Sequence, residues 1–133
     1  MPHLSKRRVD LKTQRLLIDA LNSLFSNLNK NDSAKVLSAL LTRTEKLMIA
    51  KRIGASLLLS EKMTEVEISE ALKLSTATVS KFNLIIRAGN QQTWNFILKK
   101  LERWHNFAVL KEGLKEAGLY ALKKFSRGMA GKI

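Results

Sequence analysis

A chain of 133 residues carries 24 Lys plus Arg against 11 Asp plus Glu, a formal net charge of +13, and an excess of that size repels itself unless a polyanion neutralises it. The length suits one domain and a single cooperative core, and the absence of cysteine excludes a disulfide framework or a thiolate site, which fits a reducing cytoplasm. The longest apolar runs, such as Leu57 to Leu59 and Leu84 to Ile86, are far shorter than the roughly 20 residues of a membrane span, and the opening MPHLSKRRVD lacks the apolar stretch of a secretory signal.

Proline occurs only at position 2, the six glycines are scattered and no strand pattern interrupts the helical periodicity. The chain reads as all-α, with six to seven helices around a central helix-turn-helix. A first helix over about Leu11 to Leu28 places Leu16, Leu17, Ala20, Leu24 and Leu28 on one stripe, and Asn29 to Ser33 breaks it. A short second helix runs through Val36, Leu37, Leu40 and Leu41. Thr42 or Thr44 starts a third, with Leu47, Met48, Ile49, Ile53, Leu57 and Leu58 as its apolar positions, ending near Ser60.

The segment Thr64 to Arg87, TEVEISEALKLSTATVSKFNLIIR, predicts two short helices joined by a tight turn. Ile68, Leu72, Leu74 and Val79 stand where such a pair needs apolar contacts, and Ser69 is small enough for a close crossing. Thr64 with Glu67 forms an S/T-x-x-E capping box, and Ser75 can cap the second helix. The turn position that often carries Gly is Lys73, which bears a strain if its φ is positive. From that cap, Thr76, Ala77, Thr78, Ser80 and Lys81 project from the start of a reading helix over about 76–88. Hydroxyls there reach base edges or phosphates, and the Ala and Thr methyls suit a thymine methyl.

Between Glu70 and Glu102 there is no acidic residue, whereas Lys73, Lys81, Arg87, Lys99 and Lys100 all fall there, as on a phosphate-facing surface. The acids Glu65, Glu67 and Glu70 precede the turn, favour the start of their helix through its dipole and need not face DNA. Gly89 and Asn90 supply the next helix stop. A long helix over about Gln91 to Lys111 then presents Trp94, Ile97, Leu98, Leu101, Trp104 and Ala108 on one face, with Phe96 and Phe107 beside it, and a last helix over about Leu114 to Phe125 leads into a frayed basic tail. The domains are thus a basic arm at 1–10, a helical domain at 11–112 with the helix-turn-helix at 64–87, and a basic C-terminal helix and tail at 113–133. So many wide apolar arcs exceed what one small core can bury, which predicts a homodimer; two reading helices about 34 Å apart also discriminate far better than one.

Other chemistries are weak here. His3 and His105 stand alone, without carboxylate or Cys partners at ligand spacing, so no metal and no cofactor is expected. Trp94 and Trp104, ten residues apart on an apolar face, suit a core better than base stacking. No phosphate-binding glycine loop, paired carboxylates or Ser-His-Asp set is visible, so the chain is not expected to be an enzyme. Lys6-Arg7-Arg8, Lys123-Lys124 and Arg127 are solvated charge or phosphate-binding arms. The competing readings are a nonspecific nucleoid-architectural or RNA-binding protein, motivated by net charge, and a membrane-surface module using the basic amphipathic helix at Leu114 to Phe125.

LLTRTEKLMIAKRI at Leu40 to Ile53, followed by MTEVEISEALKLSTATVSKFNLIIRAGN at Met63 to Asn90, resembles the Trp repressor superfamily of bacterial transcriptional regulators. It looks closest to the less characterised branch, whose reading helix commonly starts with a STATISR-like run and is followed by Gly-Asn. The resemblance covers about Leu11 to Trp104 by helix order and is motif-specific over Leu40 to Asn90. It implies an intertwined all-helical homodimer that binds double-stranded DNA at a palindromic operator, with contacts at Ser69, Thr76, Ala77, Thr78 and Ser80. Thr42 and Arg52 match the threonine and arginine lining that family's tryptophan pocket. The arginine, glycine and serine that complete the pocket are Lys81, Phe82 and Ile85 in this chain, and Phe82 fills the space an indole needs. Tryptophan is therefore not expected as corepressor; binding is either constitutive or tied to a different effector. Residues after about Lys111 exceed the family pattern.

Overall fold

The computed structural model describes residues 7–130, with side chains at 7–120 and at Lys123. The described residues form seven α-helices and no strand: α1 Leu11–Ser26, α2 Lys30–Leu40, α3 Arg43–Ser60, α4 Glu65–Leu72, α5 Thr76–Ala88, α6 Gln91–Glu102 and α7 Phe107–Ala130. The backbone gathers into two compact units, the first reaching to Lys46 and the second beginning at Leu47.

In the first unit, local side chains write the helix ends. The Asp10 carboxylate accepts from Thr13 N (2.8 Å) at the start of α1, and the Asn29 side chain accepts from Asp32 N (2.8 Å) at the start of α2. Asn29 to Ser33 is therefore a break followed at once by a helix start. At the head of α3 the Thr42 hydroxyl accepts from Glu45 N while the Glu45 carboxylate accepts from Thr42 N, the reciprocal pair that satisfies two amides a helix start leaves free. Neither α1 nor α2 buries a residue.

The second unit holds the core: Ala55 and Leu58 from α3, Ile68 and Leu72 from α4, Val79 and Phe82 from α5. Leu58, Ile68 and Val79 are fully buried, each worth about 1.5–3 kcal/mol over its exposed state. Met48, Leu59, Met63, Ala71, Leu74 and Leu114 pack around them.

Two helices differ from the sequence expectation. The long helix expected to Lys111 stops at Glu102: Arg103 N and Trp104 N bond to the Lys100 and Leu101 carbonyls, a tightening to three-residue turns that ends the α-helical ladder. Phe107 to Ala130 then forms one continuous helix, starting before the expected Leu114 and continuing past the expected end at Phe125. Its stripe Phe107, Leu110, Lys111, Leu114 and Gly118 turns inward. Gly118 is the close crossing with α4, since a Cβ there would lie 2.8 Å from the Glu67 carbonyl oxygen and from Met63 Cε. The Glu61 carboxylate adds an ion pair with Lys111 Nζ at 2.6 Å and approaches Lys115 Nζ at 3.9 Å. The positions His3, Lys6 and, for their side chains, Lys124 and Arg127 lie outside the described residues. No helix among those described is long and apolar enough to cross a membrane.

Candidate nucleic-acid interface

The two short helices and the turn between them are built as the caps require. Thr64 starts α4 with its full capping box: its hydroxyl accepts from Glu67 N (3.2 Å) and the Glu67 carboxylate accepts from Thr64 N (2.9 Å). Ser75 starts α5, accepting from Thr78 N at 3.1 Å, with the Ser75 and Thr78 hydroxyls 2.9 Å apart. Between them Lys73 adopts φ 55°, ψ 50°, left-handed for a residue with a Cβ. The strain expected at this turn is present, about 1 kcal/mol. Lys62, after α3, is left-handed as well, with φ 64°, and nothing in its sequence context marks it.

The candidate reading residues divide by where the helix turns them. Thr76, Ala77, Lys81 and Arg87 are exposed on α5, and Lys73 and Ser75 are exposed in the turn. Arg87 stands three helical turns beyond Thr76, about 16 Å along the axis, where with Ser56, Asn83 and Trp94 it lines a cleft of about 200 Å³. Ser69 faces the other way. It is buried, its hydroxyl donates to the Leu74 carbonyl (2.6 Å) and its own carbonyl accepts from Leu74 N (3.0 Å). Ser69 thus clasps the turn in this structure, the close crossing its size suggested. Thr78 and Ser80 are half-buried; the Ser80 hydroxyl donates to Glu65 Oε2 at 2.7 Å, which ties the start of α4 to the second turn of α5. The helix dipole alone gave Glu65 no reason to approach the reading surface, and only the crossing geometry brings it to α5.

The two candidate effector residues, Thr42 and Arg52, each have a partner within the chain. Phe82 is 5 % exposed in the core, and the Arg52 guanidinium carbon lies 5.2 Å from its ring centre. Arg52 Nε is buried without a hydrogen-bond partner, so the ring face is its compensation for lost water. Thr42 spends its hydroxyl on the α3 cap. No group of His, Cys, Asp and Glu among the described residues could hold a metal ion.

Gly89 ends α5 with φ −78°, so its value is not a left-handed cap. It leaves room for Trp94, whose indole nitrogen would lie 2.9 Å from a Cβ at that position.

The order of helices and the built turn narrow the possible relationships, and a comparison with family models decides among them: the model of Trp repressor protein matches residues 14–102, more than half of the chain. The chain belongs to the Trp repressor family. No curated protein and no solved structure gave a match. The matched span runs from α1 to the end of α6 and leaves α7 outside. A Trp repressor-like chain is a DNA-binding transcriptional regulator by family, and the matched span contains the capped helix pair α4 and α5.

Proposed function

We propose that this protein is a sequence-specific regulator, a repressor acting in the cytoplasm, whose homodimer reads a palindromic operator through α5. The observation that carries the reading is the exposed start of α5, with Thr76, Ala77 and Lys81 free of any core duty inside a run, 71–101, that has no acidic residue. Small hydroxyl and methyl side chains let a helix approach base edges closely, while the lysines meet phosphate. Dimerisation is supported by α1, where Leu16, Leu17, Ile18, Leu21, Leu24 and Phe25 are each at least 40 % exposed. An apolar face that continuous marks an interaction surface. Independence from tryptophan is supported by Phe82, whose ring stands against Arg52 where the family leaves space for an indole.

The test is selection of binding sites from a random duplex library by the purified protein at near-physiological salt, where nonspecific contacts are largely screened. An enriched two-fold palindrome is the expected result. Tight low-salt binding with no enriched sequence would replace this reading with the architectural or RNA-binding one.

A further inference from the structure

The chain keeps acids out of the stretch from 71 to 101, yet α4 brings one to the reading helix. Glu65 is the first residue of α4, half-buried, and its Oε2 accepts the Ser80 hydroxyl proton at 2.7 Å. It forms no ion pair with any lysine or arginine among the described residues. Ser80 lies four residues after Thr76 and three after Ala77, spacings that put all three side chains on one strip of α5. The carboxylate is therefore held beside the exposed turn that Thr76 and Ala77 form, with Oε1 able to accept a further hydrogen bond.

A bare carboxylate at that place repels phosphate and raises the cost of every complex, whatever the sequence, unless the duplex offers it a donor. Two bases present an amino group in the major groove. Adenine flanks its N6 amino group with its own N7 acceptor, which a carboxylate repels; cytosine presents the N4 amino group with no acceptor of its own on the major-groove edge. We infer that Glu65, held by Ser80, is a specificity-determining residue that accepts from the N4 amino group of a cytosine in each half-site. This rests on the proposed reading of DNA through α5. Ser80 is then a positioning residue, acting on the base through Glu65.

The experiment is the same random-library selection run in parallel on the full-length wild-type chain, Glu65→Gln and Ser80→Ala. Glutamine keeps an oxygen for the Ser80 hydroxyl and adds a donor, so it matches the N6 and N7 pair of adenine. The expected outcome is that Glu65→Gln recovers the wild-type palindrome changed at one base pair per half-site, from C·G to A·T, with about tenfold or greater preference for the new pair. Ser80→Ala should weaken discrimination at that same pair while the salt dependence of binding, set by phosphate contacts, stays unchanged. If Glu65→Gln selects the unaltered palindrome and binds all DNA more tightly, Glu65 is an electrostatic brake and the inference is overturned. A wild-type protein that enriches no palindrome overturns the DNA reading itself, an outcome visible before any variant is compared.

Discussion

The guanidinium of Arg52 stacks against the ring of Phe82, 5.2 Å from its centre, and joins α3 to the buried side of α5. Under the proposed reading, this ring takes the place beside the arginine that the family resemblance gives to an indole ligand. Operator affinity should accordingly change by less than twofold when millimolar tryptophan is added, as read by fluorescence anisotropy of a labelled duplex. A tryptophan-dependent rise in affinity would show that Phe82 leaves room after all. Phe82→Ala should cost about 3–5 kcal/mol of stability in urea denaturation, the range for deleting a buried ring.

Gly118 and Gly113 sit on the same helix and should answer alanine in opposite directions. At Gly118 a methyl would press on the Glu67 carbonyl oxygen at 2.8 Å, a backbone atom that cannot swing aside; at Gly113 nothing lies within 4 Å. Gly113→Ala should add roughly 0.5–1 kcal/mol through helix propensity alone. Gly118→Ala should lose about 1–3 kcal/mol because α7 must back away from α4. Matched thermal melts of the two variants check this, and a stabilised Gly118→Ala would mean that α7 does not press on α4 in solution.

That contrast marks the limit of what the chain announces. The helix pair α4 and α5 was legible because its signals are local: Thr64 with Glu67, Ser75 three residues before Thr78, and apolar residues at Ile68, Leu72 and Val79 that lie within one short stretch and do form the core. The docking of α7 was not, because it depends on residues about fifty positions apart, Gly118 against Glu67 and Lys111 against Glu61, and glycine carries no pattern of its own. Ser69 shows the same limit at short range. Its spacing within the motif is equally compatible with facing the groove or the turn, and the hydrogen bond to Leu74 decides for the turn.

The ion pair that anchors α7 should make stability depend on pH on the acid side. The Lys111 ammonium, hydrogen-bonded to the Glu61 carboxylate, holds that carboxyl below its ordinary value of 4.5. A carboxyl with a lowered folded pKa takes up its proton first in the unfolded chain as pH falls. Its contribution is therefore complete above the unfolded value and is lost as pH drops through 4.5 toward the folded value. Asp10 and Glu45, lowered by hydrogen bonds from Thr13 and Thr42, add to the same slope. Denaturation midpoints at pH 7 and pH 3.5 should fall further apart in the wild type than in Glu61→Gln, and equal losses would show that the pair contributes nothing.

Lys73 lets fold and function be separated within one residue. Its φ of 55° is a conformation that glycine adopts freely, and its side chain is exposed without an ion pair among the described residues. No contact among the described residues explains why lysine stands where glycine relaxes the turn; under the proposed reading its partner is a DNA phosphate. Lys73→Gly should raise stability by up to about 1 kcal/mol, the strain released, less the larger entropy of glycine in the unfolded chain. The same variant should bind operator more weakly, with the slope of log affinity against log salt reduced by about 0.9 for each phosphate that the lysine no longer neutralises, so by twice that in a dimer. Melting and salt-titrated binding measured on one preparation decide between the two duties. A more stable variant with undiminished affinity would assign Lys73 to neither phosphate nor base, and would leave the exposed lysines of α5 and α6 to supply the electrostatic part of binding.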